Sequence, residues 1–595
     1  MSTHAARLAA LRDTLAATEL TGFVVPLTDE HMSEYVGEYA QRLAWLTGFE
    51  GSAGAAVVLA DKAAMFTDGR YTLQVRAQVD GTLYDYISIP ETPTTDWLAV
   101  NAKAGDRIGY DPWLHTKGWV TATAKALAAR GAELVAQPHN PIDSVWATRP
   151  APSGAALEVH DAALAGQSSA DKRAAVAAWL KTQNSDAVVI TALDSIAWLL
   201  NIRGRDVART PVALAFAIVH ADASADLYVE PGKLTDAVRA HLGADVRAHD
   251  RSAFGDALEA LGSKTVVADP ASAVAAIFER LAAGGARIHE TRDPCVLPKA
   301  VKNPTEIAGT KAAHLRDGAA LTRFLHWFDG EAPKGQLDEL KVAAKLRQFR
   351  DATNQLEDLS FDTISGAGPK GAIVHYRVSE ATNLPVELNS LFLLDSGGQY
   401  KDGTTDVTRT MAVGTPTAEM RDRFTRVLKG HIAVARAVFP KGTRGGQLDV
   451  LARLPLWEVG LDYAHGTGHG VGSYLSVHEG PQRIATVIGT GGEEPLMPGM
   501  ILSDEPGYYK TGEYGIRIEN LVLVVERDVP GAEKPMYGFE TLTLAPIDRT
   551  LIDVALLTAD ERAWVDAYHA RVAAEVGPLL DEVQGKWLKA MTAPL

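Results

Sequence analysis

The sequence predicts an α/β (α+β) protein: two related α/β domains followed by a larger domain of mixed strands and helices. Three observations predict it. A chain of 595 residues is longer than one hydrophobic core can organise, because single cores stop growing at roughly 250–300 residues. The order of apolar segments in residues 1–150 recurs in residues 151–301. After residue 302 the texture changes, and apolar strands begin to carry aspartate and glutamate.

Composition bounds what such a chain does. Hydrophobic residues make up 46% and charged residues 22%, close to a globular average, which excludes wholesale disorder. The formal net charge of -16 argues against nucleic acid or an anionic membrane as partner, since both are held by basic patches. Acidity of this size keeps the chain in solution, and part of it can gather carboxylates around cations. Cys295 is the single cysteine, so an intrachain disulfide and thiolate-rich metal sites are excluded. Any metal must be held by oxygen and imidazole.

The N-terminus, "MSTHAARLAALRDTLAATEL", spaces apolar residues as an amphipathic helix does, and Arg and Asp interrupt any signal-peptide core. No run approaches the roughly 18–20 apolar residues that cross a bilayer. A cytoplasmic protein is expected.

"TGFVVP" followed by "LAWLTGFEGSAGAAVVLADKAAMFTDGRY" gives a strand, a Trp-Leu element with glycines, and a second strand closed by a turn. "SDAVVIT" followed by "SIAWLLNIRGRDVARTPVALAFAIVHADASADLYV" repeats that order, with Trp45 and Trp198 in matching places. A divergent duplication of one α/β domain is expected. The prolines, serine and glycine of "WATRPAPSGAALEVH" break periodicity between the copies, which puts the first boundary near residue 150. The second lies near residue 302, where Asn303-Pro304-Thr305 reads as a helix start and Glu306 suits the positive end of the helix dipole. Beyond it, helical stretches such as "GQLDELKVAAKLRQFRDA" and "AEMRDRFTRVLKGHIAVARAVF" alternate with strands such as "LFLLDSGG", "TTDVTRTMAV", "MILSDEPGYY" and "GIRIENLVLVVE".

Acidic residues are disfavoured in strand interiors, so something must offset the cost of burying them here. Asp395 closes "SLFLLD", and Asp406 is expected in the next strand after a turn built from "SGGQYKDG". A hairpin of that length can bring the two carboxylates to one face. Like charges at such range raise one carboxyl pKa strongly unless a cation neutralises them. Glu519 is expected in an apolar strand, on the face shared with Arg517 by the period of two, and Glu505 precedes a proline where a strand ends. Each taken alone also reads as a turn or solvated strand residue. Two aspartates, two glutamates and a histidine together make a hard-oxygen set suited to Mn(II) or a similar ion, with Zn or Co admitted once imidazole joins. Five ligands exceed what one ion with an open position needs, so two ions are expected.

"DYAHGTGHGVGSY" holds His465 and His469 four residues apart among glycines. Glycine lets the backbone approach a site without side-chain clash, so one of the two histidines can bind metal while the other faces substrate. His375 in "AIVHYR" and His478 in "SVHEGP" add two further imidazoles.

In the segments "LLDSGGQYKDGTTDVTRT", "HGTGHGVG", "SDEPGYY" and "GIRIEN", the chain resembles the M24 metallopeptidases of pita-bread fold. Within them it is most similar to the long, three-domain Xaa-Pro aminopeptidases. The resemblance covers nearly the whole chain and is most specific between Phe361 and Asp548. It implies two creatinase-like N-terminal domains, 1–150 and 151–301, and a pita-bread catalytic domain, 302–595, with a C-terminal extension beginning near "TLTLAPIDRTLID". It implies Asp395, Asp406, His469, Glu505 and Glu519 as ligands of a dinuclear site, usually manganese in this family, with Co2+ or Zn2+ as alternatives. Asp406 and Glu519 would be the bridges. It implies that His375 and His478 bind substrate and steady the tetrahedral intermediate. His465 falls at the pocket for the penultimate proline, Arg517 behind the glutamate bridge, and Trp457 on the wall of that pocket. Glu505 is the candidate for carrying a proton to the leaving nitrogen. The implied substrates are peptides with N-terminal Xaa-Pro, and a homodimer is implied. The N-terminal domains are expected to narrow access to a free N-terminus. Prolidase, which cleaves dipeptides, and a non-catalytic pita-bread binding module are the competing readings.

Overall fold

The computed structural model describes residues 3–486 and 494–595. It divides into two compact units, one formed by Met1–Ala162 with Gln167–Val296 and the other by Ala163–Gly166 with Leu297–Leu595.

The first unit contains the duplication. One six-stranded sheet runs, in spatial order, Asp85–Ser88, Ala63–Thr67, Ala55–Leu59, Gly22–Pro26, Arg107–Tyr110 and Glu133–Ala136. The other runs Val246–His249, Ala225–Val229, Ala215–His220, Ala187–Ile190, Thr265–Ala268 and Arg287–Glu290. Both pair their strands in the same sequence of senses: parallel, antiparallel, antiparallel, parallel, parallel. Trp45 and Trp198 sit in the equivalent helices Arg42–Thr47 and Leu193–Leu200, each following the strand of its six-stranded sheet that comes first in the chain. The N-terminal helix is present over His4–Ala17 and buries Leu8, Leu11 and Leu15.

His115 in this unit is buried, with its ring stacked 4.0 Å from that of Trp119. Burial pushes its pKa down to about 3 from an ordinary 6.5. The folded chain therefore refuses a proton that the unfolded chain accepts as pH falls from 6.5 towards 3. Its contribution is intact above pH 6.5 and is lost on acidification at up to about 1.4 kcal/mol per pH unit. We expect His115→Phe to flatten the acid limb of the stability curve. Melting temperatures at pH 7 and pH 5 should fall less for the variant than for the wild type; equal falls would contradict this.

The first long helix of the second unit is Pro304–Glu331. Asn303 caps it by accepting from the backbone of Thr305 and Glu306, and the Glu306 carboxylate accepts in return from the Asn303 backbone, a capping box with proline in the first helical position. Ile364–Ala367, Ser390–Ser396 and Val407–Val413 form an antiparallel three-stranded sheet with Ser390–Ser396 in the centre. A six-stranded sheet follows in the order Val438–Pro440, Met536–Thr541, Asn520–Arg527, Ile501–Asp504, Gly468–Gly470 and Glu479–Ile484. The helices Ala418–Ala435 and Ala559–Val576 contribute Phe424, Leu428, Val565 and Val572 to a buried apolar cluster shared with Ile516 and Ile518.

Two local expectations are corrected here. The connection after Asp395 is not a simple hairpin turn. Gly398–Tyr400 and Gly403–Thr404 leave the main sheet and pair with each other, and Gly398–Tyr400 also pairs with Asp358–Leu359, in a small sheet of their own. Asp406 lies one residue before the strand Val407–Val413 rather than inside it. Glu519 is likewise not inside a strand but in the two-residue joint between Tyr514–Arg517 and Asn520–Arg527, which belong to different sheets.

Candidate metal centre

The register of the three-stranded sheet brings the two aspartates together. Asp395 is paired with Thr408, so both side chains lie on one face, and Asp406, two residues before Thr408, shares that face. Glu519 reaches the same face from the joint, where its backbone N–H donates to the carbonyl of Thr408 at 3.2 Å and Thr408 Oγ1 donates to Glu519 Oε2 at 2.8 Å. Glu505 follows the strand Ile501–Asp504 and accepts at Oε1 from Ser503 Oγ at 3.1 Å.

His469 comes from the glycine-rich segment, in the strand Gly468–Gly470. The two glycines are required by close packing. A Cβ on Gly468 would lie 2.0 Å from the Ser503 carbonyl oxygen, and one on Gly470 2.3 Å from that of Glu479. His469 Nδ1 is 2.9 Å from the Gly470 carbonyl. A carbonyl only accepts, so Nδ1 carries a proton and Nε2 is the nitrogen turned towards the carboxylates, the one a metal would take by displacing any proton there. Nε2 is 3.5 Å from both Asp406 Oδ2 and Glu505 Oε1. One ligand atom each from Asp406, His469 and Glu519 lies within 4.8 Å of the other two.

Electrostatically the cluster is poorly suited to stand alone. Burial, with the charge of Asp406 added and Arg517 opposing, pushes the Asp395 carboxyl up to about 6. Burial and the neighbouring aspartates raise Glu505 to about 7. Glu519 is driven well above the carboxylate range by burial and then by Asp406, Asp395 and Glu505. Burial disfavours a charged His469, yet Asp406 and Glu505 outweigh it and hold the ring up to about 9. Asp395 Oδ1 and Asp406 Oδ1 are buried without a hydrogen-bond partner. Four carboxylates, an imidazole nitrogen and two unpartnered oxygens on one face fit divalent cations, which would neutralise the repulsion, displace the imidazole proton and supply the missing partners.

The other expected residues divide into three groups. Arg517 is fully enclosed behind the cluster: Nη2 donates to Asp395 Oδ2 at 2.6 Å, Nε to Thr408 Oγ1 at 3.1 Å, and Nη1 to the Tyr509 hydroxyl at 2.7 Å. The Tyr509 hydroxyl in turn lies 2.8 Å from His465 Nε2, while His465 Nδ1 is 2.7 Å from the Gly466 carbonyl. His465 therefore accepts from Tyr509 and stands at the end of a line running from Asp395 through Arg517 and Tyr509, apart from the acidic group. His478 belongs with the centre, its ring 4.4 Å from that of His469 and edge-on to it, and His375 stacks 6.4 Å from His478. Trp457 is not brought to the acidic cluster by any of these contacts. It ends the helix Gly445–Trp457 and is 43% exposed.

Tyr509, Thr408 and Ser503 were not singled out from the sequence. Their signal was register: Tyr509 is paired with Gly515, two residues from Arg517, across Gly507–Lys510 and Tyr514–Arg517, a pairing that the run "EPGYYKTGEYGIR" does not disclose by itself.

A mixed α/β chain with this acidic face has the makings of a metallopeptidase, and residues 308–526 match the family model described as Metallopeptidase family M24. Residues 7–143 and 148–306 each match a Creatinase/Prolidase N-terminal domain, and residues 535–595 match the C-terminal region of peptidase_M24. The chain belongs to metallopeptidase family M24. It is 42% identical over 611 residues to a Probable Xaa-Pro aminopeptidase P of Aspergillus clavatus, covering 99% of this chain and 92% of that one. It is 41% identical over 610 residues to the protein of the same description from Coccidioides posadasii (strain RMSCC 757 / Silveira), covering 99% of each. Among solved structures, the X-prolyl aminopeptidase of Caenorhabditis elegans, described as a cytosolic enzyme with a di-nuclear active site, superposes with a TM-score of 0.95 at 37% identity over 100% of both chains.

Proposed function

We propose that this protein is a two-metal aminopeptidase that removes the N-terminal residue from peptides carrying proline in the second position. The observation that carries the reading is the convergence of Asp395, Asp406, His469, Glu505 and Glu519 on one buried face, in a chain similar along its whole length to proteins described as Xaa-Pro aminopeptidases. A non-catalytic binding module would have no use for the retained set.

These five residues would hold the pair of ions, with Mn2+ as the favoured metal over Co2+ or Zn2+. Bound there, divalent ions supply Lewis acidity towards the scissile carbonyl and lower the pKa of an attacking water. The chain's own groups do the rest. His478, beside His469, donates to the oxygen on which charge develops, the preorganised contribution that usually dominates catalysis, and His375 holds the substrate next to it. Glu505 takes the water proton and delivers it to the departing prolyl nitrogen. Arg517 balances the acidic cluster from behind and fixes Asp395, while its contact with Tyr509 sets the ring plane of His465. That imidazole contributes a wall to an apolar slot for the proline ring. Such a slot suits a bond whose nitrogen, being a tertiary amide, has no N–H to recognise.

The division of labour would follow the three parts 1–150, 151–301 and 302–595, supported by the two separate six-stranded sheets and by the residue ranges of the family matches. A homodimer is supported by Val450, Leu454 and Trp457, 42%, 50% and 43% exposed along one stripe of the helix Gly445–Trp457, a face that a second copy would cover. The same exposure weakens the proposed place of Trp457 in the proline pocket. A single-chain mass in solution would overturn the dimer. No helix among the described residues is long and apolar enough to cross a membrane. A cytoplasmic location rests on the similarity to an enzyme described as cytosolic.

The test is turnover of Arg-Pro-Pro against Gly-Pro by the Mn2+-loaded protein. The tripeptide should be favoured at least about tenfold in kcat/KM, a difference of about 1.4 kcal/mol in transition-state binding. Preference for the dipeptide would assign the chain to the prolidases instead. An N-terminally blocked Xaa-Pro peptide should not be cleaved, and its cleavage at a normal rate would refute exopeptidase action.

A further inference from the structure

Behind the acidic face, on the side away from the carboxylates, lies a second polar system that the reaction does not use directly. Its centre is Arg409, next to Thr408 in the strand Val407–Val413 and 2% exposed. Among the described residues no carboxylate pairs with it. Nη1 donates to the backbone carbonyls of Thr408 at 2.9 Å and Glu519 at 2.7 Å. Nε donates to the carbonyl of Pro546 at 3.0 Å, and Nη2 to Asn520 Oδ1 at 2.8 Å, the Ala545 carbonyl at 2.8 Å and the Tyr568 hydroxyl at 3.0 Å. A charge taken out of water and given only neutral acceptors is expensive. Its fork, however, ties the backbone of Glu519 to that of Thr408, the residue whose hydroxyl holds the Glu519 carboxylate. Its other end rests on residues 545, 546 and 568.

The system continues to the other glutamate. Asn520, the residue after Glu519, uses its Oδ1 on Arg409, so its Nδ2 is the atom that donates to His431 Nε2 at 3.0 Å. His431 then carries its proton on Nδ1, which lies 3.1 Å from both the backbone carbonyl and Oδ2 of Asp504, the residue before Glu505. His431, Asp504 and Asn520 are each 0% exposed. An unbroken line thus runs from the neighbour of Glu505 through His431, Asn520 and Arg409 to Tyr568. Tyr568 lies on the helix Ala559–Val576, more than 40 positions beyond Glu519 in the chain. The Tyr568 hydroxyl is itself oriented: it lies 2.9 Å from the Ala545 carbonyl and 3.1 Å from that of Thr543, acceptors for its one proton, so its lone pair faces Arg409.

We infer that this line is a positioning device for the metal centre, and that the C-terminal segment is part of it. By fixing Asn520 and the Glu519 backbone through Arg409, and Asp504 through His431, it sets the spacing of Glu519 and Glu505, so Tyr568 acts on metal affinity without approaching the metal or substrate. The inference rests on Glu505 and Glu519 being ligands. Outer hydrogen-bond partners of this kind typically change affinity or activity by about 10–100-fold when removed.

The experiment is calorimetric titration of Mn2+ into chelator-treated full-length protein well below its melting temperature, for wild type, Asp406→Ala, Tyr568→Phe and Val572→Ala. Val572 lies one turn on from Tyr568 in the same helix and is 0% exposed, so its truncation reports packing alone. Tyr568→Phe should weaken Mn2+ binding by about tenfold and lower kcat by a similar factor with KM within about twofold. Val572→Ala should lower the melting temperature at least as much and leave Mn2+ affinity unchanged. The inference is overturned if Tyr568→Phe binds Mn2+ within threefold of wild type, or if Val572→Ala weakens binding equally. A wild type that binds no more Mn2+ than Asp406→Ala would instead overturn the ligand assignment beneath it.

Discussion

Replacing Asp406 by alanine is expected to abolish metal retention and to lower kcat/KM by roughly 10³-fold or more, equivalent to about 4 kcal/mol of transition-state stabilisation. Asp406 stands at the crossing of the site. Oδ2 is 3.5 Å from His469 Nε2, Oδ1 is buried and unpartnered, and the residue shares a face with Asp395 and Thr408. Its carboxylate lies in the closest group of acidic and imidazole atoms in the site, with His469 and Glu519, so its loss would remove a ligand from the middle of the set. The effect on stability is expected to be smaller than that of an ordinary buried mutation. With metal absent, Asp406 raises the carboxyls of Asp395, Glu505 and Glu519, so its removal relieves that repulsion and offsets the lost attraction for His469. Chelator-treated Asp406→Ala should melt no lower than chelator-treated wild type. Added Mn2+ should raise the melting temperature of the wild type alone, because a ligand that binds only the folded state stabilises it by mass action. Metal analysis and peptide cleavage on one sample decide the matter. A variant that keeps both metal and turnover would remove Asp406 from the centre.

What could be read in advance depended on whether the signal was local. The duplication was legible because each copy repeats a strand, a Trp-bearing helix and a strand in order, and pairing between neighbours in sequence follows from short connections. The cap at Asn303 was legible because Asn, Pro and Glu within four positions have one physical use. The acidic residues were legible as misfits in apolar strands. Placement was less so. Asp406 leaves the strand and Glu519 falls in a joint because Gly398–Thr404 and Asn520–Arg527 are drawn into other sheets, and no window around either residue records that competition. Tyr509, Arg409 and Tyr568 were hidden for a further reason. A guanidinium satisfied by carbonyls of residues 408, 519, 545 and 546 has no motif, since its partners are backbone atoms that any residue supplies.

The second large effect is expected at His478. Its ring lies 4.4 Å from that of His469 and 6.4 Å from that of His375, and the residue that follows it is anchored by its side chain. Glu479, next in the chain, is 4% exposed and accepts from Lys299 Nζ at 2.8 Å and also from Lys302. An imidazole placed beside the proposed ligands but not counted among them can stabilise charge as it forms, at little cost of rearrangement during the reaction. His478→Ala should therefore keep its full complement of metal and a KM within a few-fold of wild type while kcat falls about 10²–10³-fold. His375→Ala, one ring further out, should affect KM as well as kcat. If both histidines serve the same developing oxyanion, the double variant will lose less than the product of the two single losses, because residues acting as a unit are non-additive. Loss of metal from His478→Ala would show that the ring supports the ligands rather than the transition state. An unchanged kcat would remove it from the mechanism and leave the oxyanion to the cations alone.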